Sequence, residues 1–247
     1  TVYDTLVSVE KLGHIMDLEL EHNSPEEKVI QSQPEGLKFG LEDVVFQPLD
    51  SPEPLLKGVS LTIQPGRKVV VTGESGSGKS AMMALFSGLY EEYEGKVLVN
   101  DLSLEYINLE KYRGMVGDFL ELQQIFHGTI RENILMGRDY DQDQVDFILN
   151  LVGLKEYIYQ LPQGLETMLQ PEGKGLSKTL AHQMLLARGF VGHPKALIME
   201  NVLSYVDPLI KEKVLNYIMK GSWTLLIVSN EESVQKMADE IIYMENG

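Results

Sequence analysis

The sequence has no cysteine, a shortage of basic residues and no long apolar run, and each absence excludes a class of function. Without cysteine there is no disulfide, no thiolate nucleophile and no cysteine metal site, which fits a reducing compartment. No run approaches the roughly 18 apolar residues that a membrane helix needs. With 21 Lys and Arg against 37 Asp and Glu, the net charge is −16. Because nucleic-acid affinity depends on neutralising phosphates, we expect no nucleic-acid partner.

The first 36 residues differ from the rest of the chain. Apolar residues recur at helical spacing from Val2 to Leu20, which predicts an amphipathic helix. This helix starts without a capping residue, so we expect the natural chain to extend further upstream. The stretch from Glu21 to Glu35 is polar and aperiodic, which is typical of a linker. We therefore place a domain boundary here and assign residues 37–247 to one domain.

Alternating short apolar runs and helical segments predict an α/β fold. Strand-like runs occur at Leu37–Phe39, Val44–Phe46, Val59–Ile63, Lys68–Thr72, Ala196–Met199 and Thr224–Val228. Helical runs occur at Ala81–Leu89 and Gln144–Leu161. The runs at Lys68–Thr72, Ala196–Met199 and Thr224–Val228 do not alternate between apolar and polar residues, as expected of strands that are buried on both faces. This alternation predicts a doubly wound core.

A glycine-rich segment between the strand at Lys68–Thr72 and the following helix matches GxxxxGK[ST]. The segment consists of Gly73, Glu74, Ser75, Gly76, Ser77, Gly78, Lys79 and Ser80, and Ala81 follows it. Its glycines let successive backbone N–H groups point inward as an anion nest. The motif predicts that Lys79 binds the β- and γ-phosphates and that the Ser80 hydroxyl is a Mg²⁺ ligand. The motif alone does not distinguish kinases, GTPases, helicases and transporters.

Further motifs resemble those of ATP-binding cassette (ABC) exporters. Residues 125–134, IFHGTIRENI, are similar to the LF-x-GTIRENI segment of that family. Leu176-Ser177 resembles the start of the family's signature sequence, and Ser204-Tyr205-Val206-Asp207 resembles its D-loop. The opening helix is similar to the segment that follows an exporter's last membrane helix. The resemblance covers essentially the whole chain.

The resemblance implies a RecA-like phosphate-loop core, an antiparallel β-subdomain and an inserted helical subdomain at about residues 122–192. It implies ATP and Mg²⁺ as ligands. It also implies two partners, a transmembrane domain of the same or an associated chain and a second nucleotide-binding domain of either the same or a different sequence. The expected location is the cytoplasmic face of a membrane, as part of a transporter.

Six positions depart from the family pattern. The adenine-stacking aromatic falls at Pro48; Phe46 on the same strand face is a possible substitute, although a core role suits it better. The glutamine that senses magnesium and the γ-phosphate falls at Glu121. The signature LSGGQ is replaced by LSKTL, with Lys178 and Thr179 in place of glycines. Lys178 is an alternative γ-phosphate donor, against the simpler interpretation of a surface lysine.

The remaining departures affect the hydrolytic residues. The magnesium-side aspartate falls at Glu200, and the catalytic glutamate falls at Asn201, which cannot accept a proton from water. The switch histidine falls at Asn230. A slip of one residue would instead put Glu200 at the position of the base. Together these changes predict a site that holds ATP and hydrolyses it slowly or not at all.

Three functions follow as hypotheses. The first is an exporter's ATP-binding domain that couples ATP binding, and possibly slow hydrolysis, to transport. The second is a non-catalytic regulatory or structural module paired with a competent ATPase. The third is a cassette ATPase acting on DNA or ribosomes, which the acidic charge and the exporter-like opening helix disfavour.

Overall fold

The structure is a computed structural model that describes residues 35–49, 51–120 and 124–245. The predicted helix at Val2–Leu20, its linker up to Pro34 and Glu121 lie outside these residues. Within them, no helix is both long enough and apolar enough to cross a bilayer.

An antiparallel sheet of four strands comes first in the chain. Its strands are β1 (Phe39–Phe46), β2 (Leu56–Ile63), β4 (Glu94–Val99) and β5 (Leu102–Ser103). They are arranged in the order β2-β1-β4-β5. The runs at Leu37–Phe39 and Val44–Phe46, predicted as separate strands, are joined in β1. Asp43, with φ of 49°, marks an irregularity between Leu41 and Val44 that interrupted the apolar pattern.

A parallel sheet of five strands forms the centre of the molecule. Its strands are β3 (Lys68–Gly73), β6 (Val116–Phe119), β9 (Ala196–Glu200), β10 (Thr224–Val228) and β11 (Glu240–Met244). The order is β11-β3-β10-β9-β6, with every neighbouring pair parallel. Because parallel strands share one direction, the loops after β3, β9 and β10 meet at the same edge of the sheet.

Helices surround this sheet. They are α1 (Lys79–Phe86), α2 (Leu109–Arg113), α3 (Ile130–Leu135), α4 (Gln142–Leu151), α5 (Lys155–Gln160), α6 (Lys178–Val191), α7 (Pro208–Lys220) and α8 (Glu232–Gln235). Short 3₁₀ turns occur at Leu104–Tyr106, Gly164–Glu166, Pro171–Gly173 and Val202–Tyr205. A two-stranded ribbon pairs β7 (Gly128–Thr129) with β8 (Met168–Leu169).

Two predicted helical segments end earlier than expected, each at a glycine. The helix predicted to reach Leu89 stops at Phe86 because Gly88 adopts φ of 69° and Leu89 N–H donates to Ala84. The segment predicted over Gln144–Leu161 is two helices, divided at Gly153 with φ of 76°. Left-handed glycine with these back-bonds is the usual helix-stop geometry.

The core has two parts that share the parallel sheet. One lies between the antiparallel sheet, α1 and one face of the parallel sheet, and includes Phe39, Phe86 and Tyr112. The other packs α3 to α7 against the opposite face and includes Phe119 and Phe190. The predicted α/β architecture is thus confirmed, with a helix-rich layer on one face and a mainly antiparallel sheet on the other.

Candidate nucleotide-binding site

The predicted phosphate loop connects β3 to α1, and its backbone requires glycine. Gly76 and Gly78 have φ of 84° and 90°, a region that side chains disfavour. A Cβ at Gly78 would lie 2.6 Å from the carbonyl oxygen of Leu55, whereas a Cβ at Gly76 would meet no atom within 4 Å. Gly78 is therefore fixed by packing, whereas Gly76 borders open space.

The side chain of Lys79 folds back over this loop. Its ammonium donates to the Gly73 carbonyl at 3.0 Å, to the Ser77 hydroxyl at 3.2 Å and to the Glu74 carbonyl. These acceptors hold the Lys79 ammonium against the loop. The ammonium and the N-terminus of α1, which begins at Lys79, together favour the binding of a polyanion.

Ser80 and Glu200 meet although they are far apart in the sequence. The Ser80 hydroxyl donates to the Glu200 carboxylate at 2.6 Å. Glu200 is the last residue of β9, and its side chain crosses to the start of α1. A hydroxyl and a carboxylate are the hard oxygen ligands that Mg²⁺ prefers, so this pair fits the metal that accompanies a nucleoside triphosphate. Glu121, the third predicted ligand, lies outside the described residues.

Asn201 and Asn230 lie at the ends of the neighbouring strands β9 and β10. Both line a cavity of about 330 Å³ at the carboxyl edge of the sheet. Asn201 is exposed, with φ of 53°. Asn230 accepts a hydrogen bond of 2.7 Å from the Thr72 hydroxyl, which precedes the phosphate loop. Neither amide side chain is a proton acceptor for water at neutral pH.

The segment that resembles the family's signature sequence begins helix α6. The Ser177 hydroxyl accepts from Leu180 N–H at 3.2 Å and so caps the helix. The Lys178 ammonium lies 5.4 Å from the ring centroid of Tyr205, and the His182 ring lies 4.5 Å from the same ring. The start of α6 is therefore docked on the 3₁₀ turn Val202–Tyr205.

A cavity of about 460 Å³ connects these regions. It is lined by Glu200 and Asn201 on one side and by Lys178, His182 and Tyr205 on the other. The structure thus brings Glu200 and Asn201, two of the predicted hydrolytic positions, and Lys178 of the altered signature sequence around one cavity, whereas Asn230 and Thr179 do not line it.

The sequence puts the family's adenine-stacking position at Pro48, which has no aromatic ring, and leaves Phe46 as a possible substitute. Phe46 is only 3% exposed and belongs to the core, as its simpler interpretation predicted. Sequence reasoning missed Tyr90, which packs on Phe46 and shares a cavity with Pro48 and Ser80. The only available signal was an aromatic residue soon after α1, and the ring contact itself depends on tertiary packing.

One partly buried acid, Asp118, lies on the central sheet. Burial raises the pKa of the Asp118 carboxyl to about 6, although the Leu120 N–H and the Arg113 guanidinium favour its ionised form. The Leu120 N–H donates to Asp118 at 2.9 Å. Asp118 lies on β6, and Arg113 donates to the Gly88 carbonyl that follows α1 at 2.6 Å.

A central parallel sheet with a GxxxxGKS loop between β3 and α1 defines a phosphate-loop nucleotide-binding domain. The family model described as "ABC transporter" matches residues 56–203, more than half of the sequence. The chain therefore belongs to the ABC transporter family.

Several curated proteins are similar to this chain. The uncharacterized ABC transporter ATP-binding protein YfiC of Bacillus subtilis is 26% identical, and the match covers all of this chain and 41% of YfiC. The probable microcin-H47 secretion/processing ATP-binding protein MchF of Escherichia coli is 28% identical over 94% of this chain and 33% of MchF. The ABC-type transmembrane transporter verA of Clonostachys rogersoniana is 31% identical over 86% of this chain and 17% of verA. The chain thus spans less than half the length of these relatives.

The fold is also that of a solved transporter structure. A bacterial Atm1-family ABC exporter with ATP bound superposes with a TM-score of 0.84 at 23% identity, covering all of this chain and 44% of the exporter chain. This match confirms the predicted ABC ATPase fold.

Proposed function

We propose that this chain is the ATP-binding domain of an ABC exporter and that it binds Mg²⁺-ATP at the loop Gly73–Ser80. The single observation that supports this most strongly is the pairing of the loop with Glu200 through Ser80, at 2.6 Å. The loop offers backbone donors and the Lys79 ammonium to the phosphates, and the Ser80–Glu200 pair offers oxygen ligands to magnesium. Bound Mg²⁺ would neutralise phosphate charge.

The partners and location follow from the family and remain part of the proposal. We assign residues 1–36 to a helix and linker that follow a transmembrane domain, and residues 37–247 to the nucleotide-binding domain. Helices α3 to α6 lie within the helical subdomain proposed at about residues 122–192. The domain works at the cytoplasmic face of a membrane, with a transmembrane domain and a second nucleotide-binding domain. YfiC is named as an ABC transporter ATP-binding protein, MchF as a secretion/processing ATP-binding protein and verA as an ABC-type transmembrane transporter, and these names support the assignment.

We further propose that ATP turnover by this chain is slow. The contact between Ser80 and Glu200 supports the alignment that puts Glu200 at the magnesium side and Asn201 at the base position. An amide at that position cannot take the proton of an attacking water. Lys178 and Thr179 give the start of α6 side chains where close backbone approach to a phosphate needs glycine.

A second candidate is a regulatory module that binds ATP without hydrolysing it and works with a competent ATPase. The observation that favours it is that Asn201 and Asn230, two positions expected to act in hydrolysis, line one cavity and are both amides. The two candidates share the nucleotide site and differ only in turnover.

Titration of ATP in the presence and absence of Mg²⁺ tests the shared claim. We expect Mg²⁺ to tighten ATP binding to the wild-type protein, and Ser80→Ala to abolish that enhancement. Ser222→Ala, an exposed serine outside the site, is the matched control and should behave as wild type. Absence of ATP binding by the wild-type protein would refute the proposed function. Phosphate release separates the two candidates.

A further inference from the structure

A third cavity, of about 240 Å³, adjoins the phosphate loop on the side of the antiparallel sheet. It is bordered by Ser80, Ala81 and Ala84 of α1, and it extends to Pro48 and Tyr90. Since an α-helix rises about 1.5 Å per residue, the cavity follows α1 for about one turn away from the loop. The cavity therefore lies beside any phosphate that Lys79 binds. The ribose and base of the same nucleotide could enter it.

Tyr90 gives this cavity an aromatic surface. Its ring centroid lies 4.7 Å from that of Phe46, with 40° between the ring planes. Phe46 is 3% exposed, whereas Tyr90 is 39% exposed. Phe46 thus supports the tyrosine ring from the core, and part of the tyrosine ring remains open to solvent. Pro48 lines the same cavity but has no π system.

The base of a nucleoside triphosphate is separated from its phosphates by one ribose, so it must settle close to the phosphate loop. A base needs an apolar or aromatic surface, and stacking on an aromatic ring accepts any base because every base has a π face. We propose that Tyr90, supported by Phe46, is the base-stacking residue of this site, and that the ligand is a nucleoside triphosphate whose base packs on the Tyr90 ring. This inference rests on the proposed function, namely that Gly73–Ser80 binds the phosphates.

Comparison of two ligands on the same protein separates the base from the phosphates. Mg²⁺-ATP and Mg²⁺-tripolyphosphate are titrated against the wild type, Tyr90→Ala and Tyr90→Trp, with binding followed by calorimetry. Tyr90→Ala should weaken ATP binding about 5- to 150-fold, which corresponds to the loss of one base–aromatic stack. Tripolyphosphate has no base, so its affinity should not change. Tyr90→Trp retains an aromatic face and should bind ATP at least as tightly as the wild type.

The matched control is Tyr106→Ala. Tyr106 is a tyrosine that is 49% exposed in the turn Leu104–Tyr106 and does not line the cavity. This variant should bind both ligands as the wild type does.

Three outcomes overturn the inference. If Tyr90→Ala binds ATP with wild-type affinity, the base does not stack on Tyr90. If Tyr90→Ala loses affinity for ATP and tripolyphosphate equally, Tyr90 supports the loop and makes no base contact. If the wild type binds neither ligand, the proposed function fails and this inference fails with it.

Discussion

The phosphate loop and the residues that surround it follow different chemical requirements. In the function that we propose, the loop binds phosphates through its backbone, and Gly76 and Gly78 adopt the left-handed torsions that this backbone needs. The surrounding positions would act through particular side-chain functional groups, and we propose that Asn201, Asn230 and Lys178 stand where hydrolysis needs other groups. On this proposal binding and turnover separate within one fold, because a change of side chain at a strand end leaves the loop geometry intact.

The largest expected effect comes from restoring the altered positions. The combination Asn201→Glu, Asn230→His, Lys178→Gly and Thr179→Gly should speed phosphate release about 10²–10⁴-fold, the usual contribution of a positioned proton acceptor. Asn201→Glu alone should recover only part of this gain, because γ-phosphate charge also needs donors that the altered residues displace. Single-turnover phosphate release measures both.

Adding Lys79→Ala to the combined variant is the control, since it should remove the gained activity. Full recovery by Asn201→Glu alone would mean that the signature and switch positions have little influence on turnover.

The next largest effect concerns Lys79 in the phosphate loop. Lys79→Ala should weaken ATP binding about 10- to 150-fold for each charge-assisted bond to phosphate that is lost. Equilibrium binding of labelled ATP measures the change. Lys57→Ala, an exposed lysine on β2, is the matched control and should not alter affinity. Identical titration curves for Lys79→Ala and the wild type would contradict the assignment of Gly73–Ser80 as the phosphate-binding loop.

The pH dependence of the unfolding free energy tests the environment of Asp118 on β6. The pKa of Asp118 is raised from 3.8 to about 6, so folding favours its neutral form. The resulting stability is fully present below pH 3.8 and is lost as the pH rises through about 6. Relative to Asp118→Asn, the wild type should lose about 2 kcal/mol of unfolding free energy between pH 4 and pH 7.

Urea denaturation at a series of pH values measures this difference. The exposed Asp139→Asn is the control and should follow the wild type at each pH. A constant difference between Asp118→Asn and the wild type would show that Asp118 ionises normally in the folded protein.

The smallest effect concerns Ser177, which the altered signature region retains. Loss of its cap on α6 in Ser177→Ala should lower the unfolding free energy by about 1 kcal/mol. ATP affinity of the chain should be unchanged, since within the described part of the chain the Ser177 hydroxyl is hydrogen-bonded to Leu180 N–H of its own helix and to no residue of the phosphate loop. Thermal denaturation compared with Ser222→Ala measures the cost. A loss of ATP affinity in Ser177→Ala would show that this region takes part in binding.

The sequence predicts the loop more completely than the rest of the site for a physical reason. Gly73–Ser80 is contiguous, so its strand, turn and helix signals are local. The Ser80–Glu200 contact joins residues 120 positions apart, and only family resemblance suggested it. The packing of Tyr90 on Phe46 depends on how α1 is placed against β1, which no local pattern encodes. The helix ends at Gly88 and Gly153 did have a local signal, but apolar periodicity continued past both glycines.

The central claim is that this protein binds ATP and releases phosphate slowly. The most direct test measures both quantities on one sample of wild-type protein, with bound radiolabelled ATP followed by filter binding and phosphate release followed under single-turnover conditions. We predict that Mg²⁺-ATP occupies the site and remains largely uncleaved while the combined Asn201→Glu, Asn230→His, Lys178→Gly and Thr179→Gly variant converts it. Wild-type phosphate release as fast as that of the combined variant would contradict the account.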